Sequence, residues 1–323
     1  MTRTQLEALQ HTLRNRPVPD PVPGLADQRR LFDAMRAATP LPDGSTTKDG
    51  LLGDVPVVFT ETPGADWSAP VVLYFHGGAY VLGSAAAGVP LAAGLAARAG
   101  GRGISVGYRL APEHPFPAAV HDAVTAYRAL LDDGVPPSLI AVAGDSAGGG
   151  LAVAALVAAR DAGLPLPSAA VVLSPWSDLT LSGASVTTRA GDDLVLTADT
   201  LGHGAADYLG SADPRTPLAS PGLTADLRGL PPLLVQVGSH EILLDDAITL
   251  AARAAAVDVP VDLQIRPGLP HVYQRFAGTG QLDQADAAMD AAGDFLRRAL
   301  APALTAGVRS SRPTPDDLPV EGI

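Results

Sequence analysis

Cysteine is absent from all 323 residues of the chain, so the protein forms no disulfide and has no thiolate to act as nucleophile or metal ligand. Basic residues are also few: 22 Lys and Arg stand against 34 Asp and Glu, a formal net charge of −12. A surface with this excess of negative charge repels nucleic-acid phosphates and anionic lipid headgroups. We therefore expect neither nucleic acid nor a membrane surface as a partner.

Long uncharged apolar runs are missing as well. Arg98, Arg160 or Asp161 interrupts the Ala-rich stretches, so that none reaches the roughly 18 residues of a membrane span. The N-terminus is rich in Arg, Gln and Glu and lacks the apolar run of a signal peptide. These absences predict a cytoplasmic protein without a membrane segment. A homodimer is compatible with the sequence.

The remaining composition is that of a globular α/β protein. Hydrophobic residues make up 47% of the chain, and its 34 glycines and 30 prolines indicate many tight connections. From Leu51 onward, strand-like apolar runs alternate with helical patterns. This alternation predicts one domain with a mostly parallel sheet, which begins at these first runs and is covered by helices on both faces. Ligands of such a sheet bind beyond the carboxyl ends of its strands.

Two segments depart from this alternation. Residues 1–48 show two helical apolar faces, formed by Leu6, Leu9 and Leu13 and by Leu31, Phe32 and Met35. Residues 179–230 contain one short helix, near 198–209, among Gly, Asp, Thr and Pro. We interpret them as two parts of a helical cap on an α/β domain that spans residues 49–305, although simple packing on the core also fits the first part. Residues 306–323 are expected to form a mobile tail.

The central motif is Gly-Asp-Ser-Ala-Gly at residues 144–148, where an apolar strand-like run meets an Ala-rich helical run. In a nucleophile elbow the serine occupies a strained turn, and the residues two before and two after it must lack side chains. Ser146 would then be exposed at the end of a strand, beside a helix N-terminus. The motif predicts acyl transfer by Ser146, and a glycine-rich turn with a solvated serine is the alternative.

A second glycine-rich stretch follows the apolar run 71–75. Here His76 precedes Gly77 and Gly78, which let the backbone approach a ligand closely and present N–H groups to it. We interpret this stretch as half of an oxyanion hole, with an ordinary loop as the alternative. The faint P-loop spacing from Gly78 to Ser84 lacks the lysine that phosphate binding requires.

A serine hydroxyl needs a neighbouring base to accept its proton, and histidine is the usual one. Most of the seven histidines fall in the predicted cap segments, inside a helix, among prolines or in the glycine loop. His240 and His271 both follow late strands, and His271 fits the chain order of serine, acid and histidine that this fold class uses. We therefore predict His271 as the base.

The base needs a carboxylate that holds its imidazole in the catalytic tautomer. The loop after the predicted strand 233–237 offers Glu241, with Asp245 and Asp246 about one helical turn later. Glu241 should still lie at the carboxyl edge of the sheet and is preferred. Asp245 remains the alternative, although we expect it to face the amide groups of its own helix.

Taken together, the motifs resemble those of the bacterial hormone-sensitive-lipase family of α/β-hydrolase esterases. The resemblance covers roughly residues 50–300. It is carried by HGG at 76–78, YRLAPEHPFPAA at 108–119, GDSAGG at 144–149, SPWSDL at 174–179 and PHV at 270–272. The chain departs from the family pattern in two places: the third glycine of the oxyanion loop is Ala79, and Glu241 stands where many members have aspartate.

The resemblance implies an α/β-hydrolase fold with a helical cap, and it assigns roles to particular residues. Ser146 corresponds to the nucleophile and His271 to the base. The implied oxyanion-hole donors are the N–H groups of Gly77, Gly78 and Ala147. The helical cap of the family makes Tyr80 and Tyr208 candidates for the substrate pocket. For the segment that contains Arg109 and Glu113 we favour a structural role, in which these two residues brace the oxyanion loop from behind.

The function implied by the resemblance is a serine carboxylesterase that hydrolyses short-acyl esters of small molecules through an acyl-enzyme, with no metal or organic cofactor. An amidase or deacetylase would use the same triad. A non-catalytic small-molecule receptor is a further alternative, because plant gibberellin receptors descend from this family. The presence of both Ser146 and His271 argues against a receptor.

Overall fold

The computed structural model describes residues 3–17, 23–65 and 68–307, and within these ranges it contains one eight-stranded sheet and ten α-helices. The strands are β1 (Thr46–Leu52), β2 (Val55–Glu61), β3 (Val71–Phe75), β4 (Arg102–Val106), β5 (Ile140–Asp145), β6 (Ala169–Leu173), β7 (Leu233–Gly238) and β8 (Val261–Arg266). The helices are α1 (Arg3–Arg14), α2 (Leu25–Ala37), α3 (Ala85–Ala99), α4 (Ala118–Asp132), α5 (Ala147–Asp161), α6 (Ser185–Thr188), α7 (Ala198–Leu209), α8 (Pro221–Thr224), α9 (Leu244–Ala255) and α10 (Asp283–Thr305). The predicted mobile tail lies outside the described residues from 308 onward.

The strands follow the order β1-β2-β4-β3-β5-β6-β7-β8 across the sheet. Strands β3 to β8 are parallel to one another, which confirms the predicted mostly parallel sheet. Strands β1 and β2 are antiparallel, contrary to the expectation that a parallel sheet begins there. Only Gly53 and Asp54 connect them, and a two-residue link can form a hairpin but not a parallel crossover.

Strand β3 shows why the predicted central runs are continuously apolar. Val71, Leu73 and Phe75 join one hydrophobic cluster, which includes residues of α4, α5 and α9. Val72 and Tyr74 join a second cluster on the other side of the sheet, with residues of α3 and α10. Both faces of the strand are therefore buried under helices, so that no position along it is left for a polar side chain in water.

The two segments predicted as a cap are helical, with some differences from the prediction. The N-terminal helical segment consists of α1 and α2, and β1 begins at Thr46, ahead of the predicted boundary at residue 48. Segment 179–230 contains the short helices α6 and α8 in addition to the predicted helix α7. On α1, Leu9 and Leu13 are buried as the pattern indicates. On α2, by contrast, Leu31 and Met35 are exposed.

None of the described helices combines the length and the apolar character needed to cross a bilayer. Helix α10 is the longest at 23 residues, and it lies along the sheet with one face buried.

The packing of α10 gives a test of the fold. Leu296 is fully buried against the sheet, whereas Leu304 on the same helix is 47% exposed. Leu296→Ala should lower the free energy of unfolding by about 2–5 kcal/mol, because it removes buried methyl groups and leaves a cavity. Leu304→Ala should change it by less than about 0.5 kcal/mol. Urea unfolding of the two variants measures both effects, and equal losses would contradict this orientation of the helix.

Candidate active site

The link between β5 and α5 is a sharp turn with Ser146 at its apex. Ser146 has a φ of 54° and a ψ of −122°, a backbone conformation that costs a non-glycine residue free energy. A Cβ on Gly144 would lie 2.2 Å from the carbonyl oxygen of Gly148, and one on Gly148 would lie 2.0 Å from that of Phe75. The two glycines are therefore required by close backbone contact, as the elbow motif predicts.

The hydroxyl of Ser146 lies in a chain of close polar contacts. Its Oγ is 2.9 Å from Nε2 of His271, and Nδ1 of His271 is 2.7 Å from Oε2 of Glu241. The three residues are 6%, 5% and 0% exposed, respectively, so that little water competes for these contacts. The structure thus brings together the three residues that the sequence singles out at the ends of β5, β7 and β8.

Glu241 is held by contacts other than the one with His271. Its Oε1 accepts hydrogen bonds from the N–H of Gly238 at 2.5 Å and from the hydroxyl of Ser174 at 2.8 Å. The same hydroxyl accepts from the N–H of Val272, next to His271, at 3.1 Å. Ser174 therefore couples the loop of the acid to the loop of the histidine. These donors also balance the buried negative charge of a carboxylate.

The alternative acids face other partners. Oδ2 of Asp245 accepts from the N–H of Ser185 in segment 179–230, at 2.9 Å, and not from the amides of its own helix. Oδ2 of Asp246 accepts from the N–H groups of Ser177 and Asp178, both at 2.8 Å. Burial raises the pKa of Asp246 well above its usual range. Neither carboxylate has the contact with His271 that Glu241 makes.

The oxyanion loop requires a correction to the predicted donors. The N–H of Gly77 donates to Oδ1 of Asp145 at 3.0 Å, and an N–H committed to a carboxylate is not free for a substrate oxygen. Within the described residues, the N–H groups of Gly78, Ala79 and Ala147 have no protein acceptor. The free N–H groups therefore belong to the two residues after Gly77 in the loop and to the residue after Ser146 in the elbow.

The oxyanion loop is braced mainly by backbone and aromatic groups. The hydroxyl of Tyr108 donates to the carbonyl of His76 at 2.6 Å, and the two rings stack with centroids 4.3 Å apart. Burial lowers the pKa of His76 to about 4, which keeps its ring neutral. The N–H of Ala111 donates to the carbonyl of Tyr80 at 3.0 Å. The segment after β4 thus supports the loop as expected.

Arg109 and Glu113, however, are not the braces. The guanidinium of Arg109 pairs with Asp122 on α4, and Glu113 pairs with Arg29 on α2. These ion pairs attach the segment to neighbouring helices.

The two tyrosines predicted to line the substrate pocket are each only 1% exposed. The rings of Tyr80 and Tyr208 stack with centroids 3.8 Å apart and planes 4° from parallel, and Phe116 lies edge-on to Tyr208. Large aromatic rings gain most when both faces are covered, and here each ring covers the other. We therefore correct their role: they join the oxyanion loop to α7 and present almost no surface to a substrate.

Comparison with known proteins agrees with this geometry. Residues 72–275 match the family model described as the α/β-hydrolase fold. The chain belongs to the α/β-hydrolase family. An esterase from the bacterial hormone-sensitive lipase family has a similar structure, with a TM-score of 0.87 at 45% identity over 93% of this chain and 99% of that one. The predicted fold and the predicted membership of the hormone-sensitive-lipase family are therefore confirmed.

Curated relatives give a consistent result for this α/β-hydrolase. An acetyl-hydrolase from Streptomyces hygroscopicus is 48% identical over 241 residues, which are 73% of this chain and 80% of the relative. Carboxylesterase NlhH from Mycobacterium tuberculosis is 38% identical over 240 residues, which are 71% of this chain and 74% of the relative.

Several site residues of this α/β-hydrolase escape analysis of its sequence. Asp145 and Ser174 lie inside the quoted motifs, so a signal was present, but their partners are distant in the chain. Arg36 carries no such signal. Its guanidinium is buried and pairs with Asp145 at 2.8 Å.

In the described part of the chain, no group of three or more His, Asp or Glu side chains is arranged to hold a metal ion.

The contacts of the acid loop lead to a direct test of this hydrolase site. Glu241→Gln keeps the shape of the side chain but removes the charge that favours the imidazolium, so kcat should fall about 10³–10⁴-fold. Asp245→Asn serves as the matched control and should leave kcat within about threefold, because its side chain contacts Ser185 instead. Steady-state kinetics at one pH, with thermal melts to verify folding, make the comparison. Inactive Asp245→Asn beside active Glu241→Gln would reverse the assignment.

Proposed function

We propose that the protein is a serine carboxylesterase in which Ser146, His271 and Glu241 form the catalytic triad. The observation that carries this proposal is the chain of contacts from Ser146 Oγ through His271 to Glu241, at 2.9 and 2.7 Å. Nucleophile and base lie within hydrogen-bond reach, and a third group orients the base, as acyl transfer requires. The names of the relatives, acetyl-hydrolase and carboxylesterase, support the same activity.

In the first half-reaction, His271 Nε2 accepts the proton of Ser146 as Oγ attacks the ester carbonyl carbon. The carbonyl oxygen becomes an oxyanion, for which we propose the N–H groups of Gly78, Ala79 and Ala147 as donors. Collapse of this intermediate breaks the bond to the alcohol, which leaves with the proton from His271. Ser146 now carries the acyl group.

In the second half-reaction, His271 removes a proton from water, and the resulting hydroxide attacks the acyl carbon. The new tetrahedral intermediate uses the same donors. Its collapse releases the carboxylic acid and returns the proton to Ser146. Glu241 remains ionised throughout and stabilises the imidazolium form of His271 in both steps.

We also propose that the N-terminal helical segment and segment 179–230 form a cap over this site. Each segment contacts a loop of the triad. Leu9 of α1 packs in one cluster with Leu269 and Tyr273, which flank the His271 loop. Asp193 of the second segment accepts a hydrogen bond from the N–H of Ile242, next to Glu241, at 2.9 Å.

The triad assignment is tested with p-nitrophenyl acetate. Ser146→Ala and His271→Gln should each lower kcat by at least about 10⁴-fold, because the nucleophile and the base act as a unit. His240→Gln is the matched control: His240 also follows a late strand but makes no triad contact, so kcat should stay within about threefold. A Ser146→Ala variant that retains a tenth of the activity would exclude Ser146 as the nucleophile.

A fluorophosphonate provides an independent readout, because it labels an activated serine covalently. The wild type should be labelled and Ser146→Ala should not. A protein that folds and yet neither turns over the ester nor reacts with the phosphonate would support the receptor alternative.

We further propose that the preferred substrates are short-acyl esters dissolved in water. On the described cap segments, the exposed large apolar side chains are those of Leu31 and Met35. Two such side chains give too little apolar surface for adsorption to an oil droplet. Hydrolysis of p-nitrophenyl acetate and butyrate should therefore exceed that of p-nitrophenyl palmitate and of emulsified triglyceride. A panel of chain lengths at equal molar concentration measures this. A maximum at the long-chain end would contradict the proposal.

A further inference from the structure

Helix α2 buries a cation and exposes apolar residues, the reverse of the usual pattern for a surface helix. Arg36 is only 5% exposed, whereas Leu31 and Met35 are 57% and 47% exposed. Removing a guanidinium from water is costly unless it meets a carboxylate of good geometry and further acceptors. The burial of Arg36 therefore points to a specific partner.

That partner is Asp145, the residue that precedes Ser146. Nη2 of Arg36 lies 2.9 Å from Oδ1 and 2.8 Å from Oδ2 of Asp145, which is 1% exposed. Nε of Arg36 points to the carbonyl of Ala87 at 3.4 Å. A charge-assisted pair shielded from water in this way is among the stronger polar contacts in a protein. It connects the N-terminal helical segment directly to the elbow.

Asp145 also binds the oxyanion loop. Its Oδ1 also accepts from the N–H of Gly77 at 3.0 Å and from the hydroxyl of Tyr74 at 2.6 Å. A Cβ on Gly77 would lie 2.6 Å from Oδ2 of Asp145 and 3.1 Å from the Cβ of Ser146. Gly77 is therefore wedged between the carboxylate and the nucleophile. The position of Gly77 in turn determines the orientation of the next peptide groups, those of Gly78 and Ala79.

We propose that Arg36 is a positioning residue for the oxyanion hole, acting through Asp145 and Gly77. The docking of α2 orients the Asp145 carboxylate, which fixes Gly77 and thereby the free N–H groups of the loop. The N-terminal helical segment then contributes to stabilisation of the transition state as well as to covering the site. This inference rests on the proposed esterase function.

A second arginine on α2 makes it possible to distinguish positioning of the oxyanion hole from simple attachment of the helix. Arg29 binds the carbonyls of Val81 and Ala111, at 2.9 and 2.8 Å, and the carboxylate of Glu113 at 2.7 Å. It attaches the same helix to the same region of the domain without touching Asp145. If α2 only needs to be attached, loss of Arg29 and loss of Arg36 should have the same kinetic effect.

The experiment compares Arg36→Met, Arg36→Lys, Arg29→Met and, as an exposed control on the same helix, Arg30→Met. The first measurement is kcat and KM for p-nitrophenyl butyrate, well below each melting temperature. The second is Ki for a short alkyl trifluoromethyl ketone, which adds to the serine and leaves a negatively charged oxygen in the oxyanion hole. This inhibitor reports on the hole itself, whereas a merely structural loss would leave its affinity unchanged in the folded fraction.

For Arg36→Met we expect kcat to fall about 10–100-fold, less than the 10²–10³-fold typical of deleting an oxyanion donor. KM should stay within about threefold, and Ki should rise by the factor by which kcat falls. Arg36→Lys should recover part of both losses. Arg29→Met should lower the melting temperature with kcat and Ki nearly unchanged, and Arg30→Met should match the wild type.

Two results would overturn the inference: kcat and Ki of Arg36→Met close to those of the wild type, or equal losses in Arg29→Met. If Arg36→Met does not fold, Arg36→Lys decides, because it keeps the charge but not the paired geometry. A several-fold change in its kcat and Ki supports the inference, and unchanged values overturn it. A folded wild type without esterase activity would instead refute the proposed function, so the two failures are distinguishable.

Discussion

Close backbone contact between the end of β3 and the start of α5 is the constraint on which the site depends. A Cβ on Gly148 would lie 2.0 Å from the carbonyl oxygen of Phe75 and 2.5 Å from that of His76. The start of α5 is therefore pressed against the end of β3, where the oxyanion loop begins. One contact thus fixes both the elbow that presents Ser146 and the loop whose N–H groups we propose as oxyanion donors. No side chain at residue 148 could preserve it.

Buried carboxylates extend this constraint to the other loops. Asp145, Glu241 and Asp246 are at most 3% exposed, and each accepts a hydrogen bond from a neighbouring loop. The donors to Asp145 and Asp246 are backbone N–H groups, and the donor to Glu241 is the hydroxyl of Ser174. A carboxylate so far from water must find donors, and a loop fixed to such a carboxylate loses its freedom to move. Asp145 also pairs with Arg36, whereas burial raises the pKa of Asp246 and favours its neutral form. Removing Arg36 alone would leave a buried charge, which typically destabilises a protein by about 3–5 kcal/mol.

The sequence predicts the sheet and the triad because both depend on strong local patterns. The bounds of β3 and α7 coincide with those of the predicted segments, since each is an apolar or amphipathic run between clear turn signals. Ser146, Glu241 and His271 follow three different strands, and parallel strands end at one edge of the sheet. Their proximity therefore follows from chain order and alternation alone.

The remaining features depend on contacts between distant residues, which local patterns do not encode. Two adjacent glycines indicate a close approach, but the acceptor Asp145 decides which N–H groups are free. It occupies the N–H of Gly77, so the free donors of the loop are those of Gly78, as predicted, and of Ala79. The alanine at 79, where the family has a third glycine, has a counterpart in α7. A Cβ on Gly204 would lie 3.0 Å from the Cβ of Ala79. Glycine inside a helix costs about 1 kcal/mol relative to alanine. Gly204 leaves room for the methyl group of Ala79. The alanine in place of a loop glycine and the glycine in place of a better helix former are therefore explained by the same contact.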